Sequence, residues 1–368
     1  MTNLVESRIP KRIHFIRTYY SHWSEYSGYH QFIQHICPTR FQVDVQVVGR
    51  ENNHFPISNA KLRGYVNHVI RKFTTQAYDL NNLVAEMVAL REWWSSGFDL
   101  LHCLDGEQSL QLLPFTFRTL SLLRARPRIV ATFHQPPTKL RSVLNSKVVR
   151  QLDHVIVLSP EQKSYFEQYL PESKISLILH GINVDHYRPG SKEKAEGKLK
   201  CITVGSWLRD HECVLEVARL LVSHRDIEFH VVSAKLAEQD VPENVHVYCR
   251  LEDAELVRMY QDSSVLFIPL RDSTANNVIL EGIACGLPVV VSDLPGVRAY
   301  VSGDEAILVK DNSREKFASA LLGLEQNRKR LSDMALCARQ RALELSWRKI
   351  VSQVESVYSG LLQQKQGI

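Results

Sequence analysis

Seven cysteines are scattered along the 368 residues, and no two form a Cys-x-x-Cys pair. This spacing excludes a disulfide framework or a zinc ribbon and points to reduced core thiols of a cytoplasmic protein. No uninterrupted apolar run approaches the ~20 residues that a helix needs to cross a bilayer. Residues 1–8 lack the apolar centre of a secretory signal. There is no full Gly-x-Gly-x-x-Gly, which argues against a nicotinamide enzyme. Acidic residues are missing between Glu107 and Asp153, an interval that holds Arg118, Arg124, Arg126, Arg128, Lys139, Arg141, Lys147 and Arg150. Two readings of this 118–150 region stand. It is a solvated basic face, or it contacts a phosphorylated acceptor or anionic lipid at the inner face of a membrane. No binding module or run of stacking aromatics accompanies the charges, so nucleic acid is not an expected partner.

What is present suits a soluble globular chain: 44% hydrophobic residues, 23% charged residues and a net charge of +5. A length of 368 residues favours two domains over one core. Residues 12–17, 41–48, 99–104, 128–134, 154–159 and 175–180 read as strands, with helical spacing from His30 onward and over 80–94. Residues 189–200 are charged, glycine-bearing and without apolar period, as a domain boundary is. Strand and helix patterns then restart. Strands are predicted over 200–204, 228–233, 245–249 and 265–270, and helices around 214–222 and 256–260. The expected fold class is α/β, with two Rossmann-like doubly wound domains of parallel sheet. Near the end, Trp347, Ile350, Val351, Val354, Val357, Tyr358, Leu361 and Leu362 mark one helical stripe.

Residues 271–296 carry the most information. They read as a polar loop, a short helix, a tight turn at Gly286 and Pro288, and a buried strand over 289–291. Thr274, Asn276 and Asn277 are expected to cap the helix start. Glu281 stands one turn after Asn277 and is expected on the same side. A carboxylate in that position can hold a sugar diol, and the amides at the helix start can hold a phosphate.

This segment resembles the donor-binding signature of family 4 retaining glycosyltransferases with the GT-B fold. The resemblance covers Glu281 and the Gly286-Leu-Pro-Val-Val run, and Ser273 stands where the family has a first glutamate. It implies GT-B architecture, with an interdomain cleft and a C-terminal crossover helix. The expected units are an acceptor-binding domain over 1–188, a nucleotide-sugar domain over 198–345 and a final helix over 346–368. That helix packs back on the first domain, as the family's Ser-Trp helix does, or else on its own. The implied activity moves a sugar, of hexosyltransferase type, from a nucleotide-diphosphate sugar to the hydroxyl of a glycan, a lipid-linked or a small-molecule acceptor. It proceeds with retention, needs no metal and uses no cofactor beyond the donor. A nucleotide-sugar 2-epimerase-like isomerase and a catalytically impaired sugar-nucleotide-binding protein are the alternatives.

The resemblance also suggests roles. Arg209, in the loop after strand 200–204, would stabilise the departing diphosphate, alone or with His211. The other reading of Arg209 is an ion pair with Asp210 or a neighbouring acid. Gly28 would let backbone approach phosphate. Ser273, Thr274, Asn276 and Asn277 would line the sugar and diphosphate, and Glu281 would hold the ribose hydroxyls. His134 would touch the transferred sugar or the acceptor, or else be a satisfied structural histidine. His102 and Glu107 are further candidates on the acceptor side.

Overall fold

The computed structural model describes residues 9–19, 24–49, 56–190, 197–237 and 239–363. The chain divides into two compact units. The first comprises Met1–Trp23, Tyr29–Ile178 and Ile350–Ile368, and the second comprises Ser24–Gly28 and Leu179–Lys349. Part of the expected boundary, residues 191–196, lies outside the described residues, as do 364–368 of the final helix.

The first unit is built on six strands: β1 (Lys11–Tyr19), β2 (Phe41–Gly49), β3 (Leu100–Cys103), β4 (Arg128–Phe133), β5 (His154–Val157) and β6 (Ile175–Leu177). They form one parallel sheet in the order β2-β1-β3-β4-β5-β6. Strands β3 and β5 are buried at every position, as expected where helices cover both faces of a parallel sheet. The edge strand β2 instead leaves Val45 and Val47 exposed. Trp93, Phe117, Phe133 and Phe166 fill the core. The element from His30 onward is a 3-10 helix over Tyr29–His35. The final helix is Trp347–Gln363. From Ile350 onward it belongs to the first unit. There Glu355 accepts from Cys37 N at 2.6 Å and pairs with Arg40 at 2.9 Å.

The second unit repeats the scheme with β7 (Leu199–Val204), β8 (Ile227–Val232), β9 (Val245–Tyr248), β10 (Val265–Ile268), β11 (Val289–Ser292) and β12 (Ala306–Val309). The sheet is again parallel, in the order β12-β11-β10-β7-β8-β9. The central strands β10 and β11 are wholly buried. Both order lists reverse direction beside the first strand of their unit. In such sheets ligands bind beyond the strand C-termini near that reversal. In the second unit these are the loops after β7 and β10, which hold Arg209 and residues 271–276.

Candidate functional site

The loops after β7 and β10 are laced together by backbone bonds. Asp210 N donates to Pro269 O at 3.0 Å and Arg271 N to Leu208 O at 3.0 Å. Leu208 adopts a left-handed φ of 57°. That conformation costs a side-chain-bearing residue about 1–2 kcal/mol, and it sits beside the residue it helps to aim. Arg209 is held at every nitrogen. Its Nε donates to Val204 O at 3.0 Å, Nη1 to Trp207 O at 2.9 Å and Nη2 to Asn276 Oδ1 at 3.2 Å. Burial pulls the pKa of the guanidinium down to about 10, and the nearby Tyr260 and Glu281 oppose that shift. It therefore stays cationic at neutral pH. Asp210 is not its partner: Asp210 caps the helix His211–Leu220 through Cys213 N and pairs with Arg271 at 3.5 Å.

Asn276 links this cation to a helix start. Its Oδ1 accepts from Val278 N at 3.1 Å and Ile279 N at 3.4 Å, and it caps the helix Asn277–Ala284. The capping expected jointly of Thr274, Asn276 and Asn277 thus falls to Asn276. Asn277 is exposed while Glu281 is buried, so the two do not share the environment that their spacing suggested. Ser273 Oγ donates to Thr274 O at 3.0 Å. A Cβ on Gly296 would lie 2.1 Å from Ser273 O, so only glycine allows the following strand's loop to support residues 273–274 from behind. His211 is buried and its Nε2 donates to Gly205 O at 3.0 Å. Burial lowers its pKa and leaves the ring neutral.

Glu281 was expected to face a ligand with an open carboxylate. Instead it is 5% exposed and both oxygens are engaged. Ser27 Oγ donates to Oε1 at 2.6 Å and Tyr260 OH to Oε2 at 2.8 Å. Burial raises its pKa, while Ser27, Tyr260 and the Arg209 charge hold it down. Ser27 belongs to the segment Ser24–Gly28, which is fixed to this unit twice more. Ser24 Oγ donates to Asp253 Oδ2 at 2.8 Å, and Tyr26 stacks on His186 with centroids 3.8 Å apart. Gly28 ends the segment at φ 100°, a conformation that favours glycine. Ser27 and Tyr260 are the site residues that the sequence reading missed. Tyr260 reads as one apolar position of a helix, and nothing local tells that its hydroxyl meets a carboxylate.

The candidates in the first unit fare differently. His102 is fully buried, with Nδ1 2.6 Å from Tyr358 OH and Nε2 2.9 Å from Thr132 Oγ1. Burial drives its pKa to about 3. This corrects its assignment to the acceptor side: His102 is a packed histidine with both nitrogens occupied. Glu107 is also buried, and its carboxylate accepts from the His134 backbone N at 3.2 Å. Burial raises its pKa, and the nearby His134 lowers it. His134 is half-buried, donates from Nε2 to Leu104 O at 2.6 Å and meets the Tyr29 ring edge-on at 5.3 Å. Glu107 and His134 are therefore brought together, with the acid positioning the turn that carries the histidine.

Among the described residues, Glu228, His230 and His246 place three metal-capable atoms within 4.8 Å of one another. Lys198 and Lys200 already face Glu228 at 3.3 Å and 3.9 Å. These residues lie on β8 and β9, away from the loops that hold Arg209.

Residues 30–186 match the family described as Glycosyltransferase Family 4, and residues 198–327 match Glycosyl transferases group 1. The chain belongs to the group 1 glycosyltransferases. D-inositol 3-phosphate glycosyltransferase from Corynebacterium diphtheriae is 23% identical over 253 residues, which cover 60% of this chain and 59% of that one. The match to such relatives thus spans about 60% of their length. Sucrose-phosphate synthase from Thermosynechococcus elongatus superposes with a TM-score of 0.70 at 15% identity, covering 96% of this chain and 99% of that one. HepE from Anabaena, solved in complex with UDP and glucose, does so with a TM-score of 0.66 at 12% identity, covering 95% and 100%. The group 1 member described here therefore has the GT-B fold, with two parallel α/β units.

Proposed function

We propose that this group 1 glycosyltransferase moves a hexose from a nucleotide-diphosphate sugar to an acceptor hydroxyl, with retention and without a required metal. The observation that carries the reading is the junction at Asn276. A single amide oxygen joins a held guanidinium to the start of a helix, so two sources of positive potential point into one loop. A diphosphate leaving group needs that field. In the step proposed, the acceptor oxygen bonds to the anomeric carbon as the bond to the diphosphate oxygen breaks. The acceptor proton passes to the departing diphosphate on the same face. Arg209 and the helix-start amides stabilise the charge that develops. Glu281 holds the ribose hydroxyls by exchanging the Ser27 hydroxyl for one of the sugar's own. His134 lies on the acceptor side. The names of the relatives make a phosphorylated polyol one acceptor to test, beside glycans and lipid-linked sugars.

A second reading has its own observation. Ser273 replaces the family's first glutamate and directs its hydroxyl to Thr274 O, so this position offers no charge to a donor sugar. A protein that binds nucleotide sugar without transferring it would have this arrangement. Incubation with a panel of nucleotide sugars and acceptors distinguishes the two readings from each other and from a sugar-nucleotide isomerase. Nucleotide release that depends on acceptor supports transfer, isomerised sugar supports epimerisation, and binding without either supports the second reading.

The chain is proposed to act in the cytoplasm, with a peripheral membrane contact in the first unit. The basic 118–150 region supports that contact only in part. Arg126 and Arg128 turn onto Asp153, and Arg118 turns onto Gln151.

A further inference from the structure

The first unit carries one amphipathic element that the sequence reading passed over. The helix Ala60–Phe73 reads AKLRGYVNHVIRKF, is capped by Asn59, and has no buried residue. Its apolar residues are nevertheless regularly placed. Leu62 is 53% exposed, Tyr65 68%, Val69 37% and Phe73 84%. Spacings of three and four residues put these four side chains on one face. The half-buried Arg63, Asn67 and Ile70 lie toward the body of the unit, where the Asn67 side chain accepts from Leu80 N at 3.0 Å. The helix is thus fastened by one side and presents an apolar stripe on another.

Charge identifies what would cover that stripe. The helix contains Lys61, Arg63, Arg71 and Lys72 and no aspartate or glutamate. At 100° per residue, Lys61 and Lys72 fall beside each other along one border of the stripe. Apolar side chains flanked by long cationic ones suit a lipid–water interface. The rings and aliphatic groups enter the acyl boundary while the lysines reach phosphate. A protein groove would also accept the apolar face. It gives no reason for a helix without a single acid, whereas an anionic lipid surface attracts every charge present. Among the described residues, no helix is long and apolar enough to cross a membrane, so contact through this helix would be peripheral.

We infer that the helix Ala60–Phe73 docks the first unit on an anionic lipid surface. The inference does not depend on the donor assignment, and it moves the membrane contact away from the 118–150 region.

Flotation of the full chain with phosphatidylcholine vesicles, with and without phosphatidylglycerol, tests it. The chain is expected to float with the anionic vesicles and to be released by high salt. The double variant Tyr65→Ser/Phe73→Ser should weaken partitioning by about tenfold or more. Lys61→Glu/Lys72→Glu should abolish the preference for phosphatidylglycerol. All four residues are exposed, so melting points should match the wild type. Leu122 and Leu123 are exposed in the 118–150 region, and Leu122→Ser/Leu123→Ser serves as the competing arm. Failure of the wild type to float overturns the inference. So does loss of binding in that arm with retention in both helix variants.

Discussion

The two units share one plan, a six-stranded parallel sheet, yet they use the polar residues at their strand ends in opposite ways. In the second unit the polar residues after β7 and β10 converge: Arg209 on Asn276, and Asn276 on the helix start. In the first unit they serve packing. His102 joins β3 to Thr132 and to Tyr358 of the final helix, and Glu107 fixes the His134 turn. The segment 271–296 was readable as loop, helix, turn and strand because its spacing is local. The strand-end rule misled for His102 because one partner that occupies it, Tyr358, lies 256 residues further along the chain. Position at a strand end nominates a residue, and only its three-dimensional partners decide whether it is available.

Substitutions sharpen this contrast. The largest effect is expected at Arg209. Arg209→Ala should lower kcat by about 10²–10³, the usual loss for a donor aimed at developing charge. Arg209→Lys should recover only part, since a lysine cannot reproduce the three-way fork. Matched steady-state rates for His134→Ala should fall less, and an equal fall would break the contrast between the units. Next, Glu281→Gln should raise the donor KM by about tenfold or more, because a charged hydrogen-bond acceptor is worth roughly 1.5–3 kcal/mol. Product inhibition by the nucleotide should weaken in parallel.

In the first unit, His102→Phe should cost about 1–3 kcal/mol of stability by leaving Tyr358 and Thr132 hydroxyls unpaired, with activity per folded molecule unchanged. His102 also predicts a pH dependence. Its folded pKa of about 3 lies below the ordinary 6.5, so the folded state holds the ring neutral. Its contribution is present above pH 6.5 and is lost as pH falls toward about 3. Denaturant titrations should show a shallower acid-side loss in His102→Phe than in the wild type. The smallest effect is expected for Ser27→Ala. Freeing one oxygen of Glu281 should lower the donor KM by less than about tenfold. A raised KM would mean that Ser27 supports the carboxylate instead of competing with the donor.

Much of the fold was legible because burial on both faces forces apolar strands, and the helical spacing between them forces crossovers. The segment Asn277–Ser292 was read as helix, turn and strand, and it is one. The helix Ala60–Phe73 escaped although its apolar residues recur at helical spacing; none of its residues is fully buried, and the strand β12 (Ala306–Val309) was passed over as well. At the site, Arg209 and Asn276 were nominated by position, but their bond was not foreseeable. It joins loops 67 residues apart. Glu281 was nominated as an open carboxylate near a helix start, whereas its burial and its occupation by Ser27 and Tyr260 depend on tertiary placement. Of the capping residues named, Asn276 alone met the geometry, with β-region φ and ψ and two amides within reach.

The most direct measurement compares the binding of nucleoside diphosphates with that of their 2′-deoxy counterparts, by thermal shift, in the wild type and in Glu281→Gln. If Glu281 clasps the ribose and Arg209 the diphosphate, one ribonucleotide raises the wild-type melting point well above its deoxy form. Glu281→Gln then erases that difference, and Arg209→Ala removes both shifts. A wild type that binds ribo and deoxy forms alike, or a Glu281→Gln variant that still tells them apart, would contradict the account.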